Sequence, residues 1–130
     1  MLAKGTFELT MQADPPYDTV DGVVLTRIRF DKRFSGALEA TSVVNMMGAR
    51  TPIEDSAGYV ALERGTGTLD SKRGTFVLQH LGVMSCGAQT LAVTVVPASG
   101  TGDLKGLSGR MEIQIVEGQH LYTLDYRLAE

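Results

Sequence analysis

Cysteine is almost absent from this sequence. The single Cys86 has no partner for an internal disulfide, and no cysteine cluster offers a metal site. That usage fits a reducing compartment. Long apolar runs are missing too. Nothing approaches the ~20 residues of a membrane helix. Met1-Leu2-Ala3-Lys4 is not followed by the apolar core of a secretory signal. A cytoplasmic protein without a membrane partner is therefore expected. Basic charge is also short: 12 Lys and Arg face 15 Asp and Glu, for a formal net charge of −3. The nearest thing to a basic patch is Arg27, Arg29, Lys32 and Arg33, read here as a solvated strand edge. No nucleic-acid partner is expected. With 2 histidines and scattered carboxylates, no metal or other cofactor is expected.

Helical periodicity is the next absence. No segment carries a sustained 3.6-residue apolar stripe. A turn or two of helix is expected at most, near Pro15–Thr19 or Met46–Ile53. Alternation with period two is what the chain does have. Phe7, Leu9 and Met11 alternate with Glu8, Thr10 and Gln12. Thr26, Ile28 and Phe30 alternate with Arg27, Arg29 and Asp31, and Leu38, Ala40 and Ser42 with Glu39 and Thr41. Met111, Ile113 and Ile115 alternate with Glu112 and Gln114. Gly58–Arg64, Thr75–Met84, Thr90–Val96 and His120–Leu128 also read as strands. The wet and dry faces of such strands are those of antiparallel sheets. The 130 residues suit one domain spanning residues 1–130, hydrophobic at 43% and able to fill one core.

Glycine, at 15 residues, punctuates these strands. Gly65-Thr66-Gly67-Thr68-Leu69, followed by Gly74, returns as Gly100-Thr101-Gly102-Asp103-Leu104, followed by Gly109. The spacing does not give a dinucleotide fingerprint or a P-loop. Two equivalent strand-to-strand turns are expected, with glycine supplying positive φ.

The run from Val96 through Pro97, Gly100, Gly102 and Leu104 to Gly109 resembles a signature of a bacterial family of uncharacterised proteins. Gly58–Glu63, Gly74–His80 and His120–Tyr126 are similar to the same family. Its members have a barrel similar to that of plant allene oxide cyclase. The resemblance implies an all-β fold: an eight-stranded antiparallel barrel with little helix and an interior cavity. It carries over no catalytic set. Relatives with this barrel commonly assemble, so a homo-oligomer is expected. Val60-Leu62 and Val77-Leu81-Val83 are candidate outer contact rows.

A barrel of this size is filled by side chains or holds one small ligand. Parity nominates the inward polar groups. Tyr59, Ala61 and Glu63 share a face; so do Phe76, Leu78, His80, Gly82 and Met84; so do His120, Tyr122, Leu124 and Tyr126. Glu63 and His80 are the candidate catalytic residues, an acid or base whose carboxyl pKa burial would raise. Tyr59, Tyr122 and Tyr126 are the candidate ligand-binding residues, with hydroxyls able to polarise a substrate oxygen. Against this stand a hydrogen-bonded core histidine, a rim-exposed Glu63 and tyrosines that only pack. Three functions follow: a barrel that binds a small apolar molecule, a cofactor-independent cyclase or isomerase, and a filled structural or oligomerising module.

Overall fold

In the computed structural model, which describes Met1–Ala129, the chain is almost entirely β-structure. The strands are β1 (Leu2–Ala13), β2 (Asp18–Val20), β3 (Val23–Gly36), β4 (Leu38–Arg50), β5 (Ala57–Leu69), β6 (Lys72–Ser85), β7 (Ala88–Val95), β8 (Leu107–Val116) and β9 (Gln119–Leu128). They pair antiparallel in the order β1-β9-β8-β7-β6-β5-β4-β3, and β1 pairs back onto β3. That last pairing closes an eight-stranded barrel. The short β2 is an extra strand hydrogen-bonded to β3 alone. No helix among the described residues is long and apolar enough to cross a membrane.

Tight turns explain why consecutive strands pair. Asp21-Gly22, Asp70-Ser71, Cys86-Gly87 and Glu117-Gly118 each link two strands as a two-residue turn with positive φ at both positions. This turn type follows the right-handed twist of the strands it joins. It also places Ser71 (φ 69°) and Cys86 (φ 49°) in left-handed positions where glycine or asparagine is the easier choice.

The structure corrects three expectations. Met46–Arg50 completes β4 and Asp18–Val20 forms β2, so neither proposed helical stretch is helical. The described residues contain one 3-10 turn, Gly102–Leu104. The glycine repeat is not a pair of equivalent turns. Its first copy is the last stretch of β5, and its second is a loop whose Thr101 bonds the backbone of Thr75. The copies share only a destination, because Leu69 and Leu104 are both fully buried at one end of the barrel. Finally, Lys32 is not on a solvated edge. It lies on the inward parity of β3 and is only 8% exposed.

The interior divides into a packed half and an open half. Leu38, Leu69, Phe76, Leu78, Leu104 and Leu124 fill the packed end. Phe7, Phe34 and Tyr122 form its upper layer, with Phe7–Phe34 and Phe34–Tyr122 ring centroids each 5.4 Å apart. Outside the wall, Val60, Leu62, Leu81 and Val83 are exposed on β5 and β6.

Tyr126 secures the packed end by donating its hydroxyl proton to Asp70 in the β5–β6 turn. Burial, with that bond to a carboxylate, pushes the phenol up to about 12. An unfolded tyrosine titrates near ~10, so the folded state favours the neutral phenol. The resulting stabilisation is complete below the unfolded value and disappears as pH rises through the folded one. Tyr126→Phe is expected to lose about 1–3 kcal/mol, because Asp70 keeps its charge but loses its donor. Urea unfolding at pH 8 and pH 11 tests this. The gap between wild type and variant should narrow at the higher pH.

Candidate functional site

Above the Phe7–Phe34–Tyr122 layer, four polar side chains meet inside the barrel. Glu63 on β5 is at the centre, with no exposed surface. Its Oε1 is 2.8 Å from His80 Nε2 and 3.3 Å from Lys32 Nζ. Its Oε2 accepts a 2.6 Å hydrogen bond from Ser42 Oγ. Strand register explains the meeting. Ser42 lies opposite Lys32 across β3–β4, and opposite Gly65 across β4–β5. His80 lies opposite Ala61 across β5–β6. Glu63 is therefore the diagonal neighbour of both Ser42 and His80, within side-chain reach on one face. Ala61 has a side chain small enough to leave room beside the carboxylate, while the space over Gly65 is taken by the Phe76 ring, 2.6 Å from where a Cβ would stand.

The expected rise in the Glu63 pKa is reversed. Burial by itself would raise it. The His80 hydrogen bond, the Lys32 charge and the Ser42 hydrogen bond together outweigh burial and hold the carboxyl below its usual range. Glu63 is thus an ionised acceptor with both oxygens engaged. Lys32 gains more than its ion pair. Its ammonium lies over the Phe7 ring at 4.5 Å and the Phe34 ring at 5.6 Å, both within cation–π reach.

An apolar cup of about 520 Å³ opens over this cluster. Its wall includes Leu9, Phe30, Met46, Leu91, Ile113 and Ile115, and Lys32 and His80 also line it. An outer vestibule of about 450 Å³ shares Met46, Tyr59, Gln89 and Leu91 with the cup and extends to Asp14 and Arg50. The wall is incomplete on one side. β7 and β8 pair only at Val93↔Met111 and Thr94↔Arg110. Beyond those pairs Leu91 and Ile115 belong to separated strand edges and are exposed.

The five residues singled out from the sequence fall into two groups. Glu63 and His80 are in contact at the floor of the cup. Tyr59 lines both cup and vestibule, its ring lying over Gly82, where a Cβ would come within 2.2 Å of it. Burial raises the Tyr59 phenol pKa. Tyr122 and Tyr126 point into the packed end instead, away from the cup. The Tyr122 hydroxyl accepts from the Leu38 amide at 2.9 Å and faces the Ser35 and Leu38 carbonyls at 3.1 and 3.2 Å. Burial raises its pKa, the Leu38 bond opposes the rise, and the Glu39 and Asp70 charges add to it. Sequence reading missed Lys32 and Ser42 as members of the cluster. The signal was available, since Lys32 has the parity of Ile28 and Phe30, and Ser42 that of Leu38 and Ala40.

Fold and site together define a closed eight-stranded barrel, packed at one end and open over a buried charged cluster at the other. Residues 3–126 match the family described as "Protein of unknown function (DUF3224)", and the chain belongs to that family. A crystal structure from Shewanella oneidensis MR-1, of a protein with unknown function from the DUF3224 family, superposes with a TM-score of 0.95. The two chains are 42% identical, over 100% of this chain and 98% of that one. Among curated proteins, none matches.

Proposed function

We propose that the barrel is a binding protein for a small, largely apolar molecule. The molecule sits in the cup with its polar end on the Lys32–His80 floor. The observation that carries this reading is the composition of the cup: a mostly apolar wall around about 520 Å³, with Lys32 and His80 at its floor and few other polar groups. Ligand sites have this volume and this economy of polar groups. The uncharged fluorophore N-phenyl-1-naphthylamine tests it. Its emission is expected to rise and shift to the blue on mixing with the protein, with saturable micromolar binding. Leu91→Trp is expected to weaken that binding about tenfold by filling the rim shared by cup and vestibule. Leu91 is already exposed, so the change has little cost to folding. No saturable emission change in the wild type would remove the reading.

One observation favours a second reading, that of a cofactor-independent isomerase or cyclase like the enzymes whose barrel the sequence resembles. His80 is held by a buried carboxylate at 2.8 Å, the arrangement that orients a proton-transferring imidazole. Here His80 moves the proton, Glu63 positions it, and Lys32 stabilises the developing negative charge. An altered molecule recovered from the cup, absent with His80→Asn while binding persists, would convert the binding protein into an enzyme.

A further inference from the structure

We infer that the ligand of the cup carries a carboxylate on its apolar body and binds together with one proton. This rests on the ligand-binding reading and adds the chemical class of the ligand. The argument starts from what the inner space does not present. Among the described residues, the ionisable ones lining it are Lys32, Tyr59, His80 and His120, with no carboxylic acid. Glu63 lies behind His80 with both oxygens engaged and no exposed surface, so an incoming molecule does not meet it. Ionisable groups that reach the cup are therefore donors, or become donors on protonation. Lys32 has three N–H groups, and Glu63 is the acceptor paired with it in the cluster. Acceptor oxygens on the ligand complement such a floor.

Charge balance supplies the proton. Lys32 and Glu63 neutralise each other. A carboxylate entering the cup adds an uncompensated negative charge close to Glu63, in surroundings that screen poorly. A proton on His80 removes that penalty. Its Nε2–H continues to donate to Glu63, and Nδ1–H becomes a donor on the side of the cavity that the ring lines. The imidazolium then lies between two carboxylates. The groups facing His80 are few: β5 contributes Glu63 and Tyr59, the residues of β7 contribute no charge, and Lys32 of β3 and His120 of β9 share the cavity. His120 is the other histidine, and it stacks on Phe7 with centroids 4.9 Å apart. Histidine is the side chain suited to taking up a proton near neutrality.

The test compares 4-phenylbutyrate with 4-phenylbutanol, which have similar apolar bodies and differ in charge. Calorimetric titrations of the full chain are run in phosphate and in Tris, whose ionisation enthalpies differ. The carboxylate is expected to bind about tenfold or more tightly than the alcohol. The buffer difference is expected to report net proton uptake on binding at pH 8. From pH 7 to 9 the affinity for the carboxylate should fall, because binding coupled to proton uptake weakens as pH rises. His80→Asn should flatten that slope and His120→Asn should keep it. The wild-type comparison of acid with alcohol, and the proton count, stand even if a variant folds poorly. Equal binding of acid and alcohol, binding of the acid without proton uptake, or binding of neither overturns the inference. Uptake of N-phenyl-1-naphthylamine then tells whether the cup reading falls with it.

Discussion

Glu63→Gln is expected to destabilise the barrel by about 3–5 kcal/mol, the loss typical when one partner of a buried ion pair is removed. The substitution barely changes shape but removes the charge that balances Lys32, whose ammonium is 3.3 Å away and which is 8% exposed. It also replaces an acceptor by an amide group beside His80 and Ser42. Domains of this kind have ~5–15 kcal/mol of stability in total. The midpoint of thermal unfolding should therefore drop by on the order of 10–20 °C. The pH dependence gives an independent reading. The folded-state pKa of Glu63 lies below its unfolded value. Its contribution is full above the ordinary glutamate value near ~4.3 and is lost as pH falls through the folded value. Wild type should lose stability on acidification below about pH 4, and Glu63→Gln should lack that part of the loss. The double variant Glu63→Gln, Lys32→Met should recover much of the deficit, since an uncharged pair leaves no stranded ammonium. A single variant within ~0.5 kcal/mol of wild type would show that the cluster does not hold its charges as described.

That recovery bears on function. The layer beneath the cluster is built from Phe7, Phe34 and Tyr122, and the barrel closes around them without a charge. Buried ion pairs often stabilise a fold less than apolar residues of the same volume. A charged layer placed where apolar packing would serve, and placed under an open cup, fits the ligand proposed for that cup.

Much of this was legible in the sequence. Period-two alternation gave the strands and their inward faces, and Asp21-Gly22, Glu117-Gly118 and Cys86-Gly87 have glycine where a tight hairpin favours it. Two kinds of information were out of reach. Parity tells which side of the wall a residue faces but not its depth. His120, Tyr122, Leu124 and Tyr126 share an inward face, yet His120 borders the cup while Tyr126 reaches Asp70 at the packed end. Depth follows from the stagger of all the strands together, which no single strand encodes. Lys32 illustrates the second kind. Its neighbours Arg27, Arg29 and Arg33 suggest a solvated group, and local composition overrode parity. Only the arrival of Glu63 from β5 makes burial of that lysine affordable.

The closing seam of the barrel is where one added methyl should do the most damage. Gly5 on β1 pairs with Gly36 on β3 and with Tyr122 on β9. A Cβ at position 5 would stand 1.9 Å from the Ser35 carbonyl oxygen and 2.6 Å from the Tyr122 hydroxyl. The first is a backbone atom and cannot rotate away. Relief requires β1 and β3 to separate at the pairing that closes the barrel. Overpacking alone costs ~1–3 kcal/mol. Displacing the Tyr122 hydroxyl from the Leu38 amide and the Ser35 carbonyl adds about 1–3 kcal/mol more. Gly5→Ala is therefore expected to lose roughly 2–6 kcal/mol in urea unfolding, at its upper end as much as the whole stability of a domain near ~5 kcal/mol. Tyr122→Phe separates the two contributions. By itself it should cost the hydrogen-bonding share; combined with Gly5→Ala it should not rescue the alanine, because the clash with the Ser35 carbonyl remains. A double variant as stable as Tyr122→Phe alone would mean that the hydroxyl, and not the close approach of the two backbones, is what position 5 accommodates.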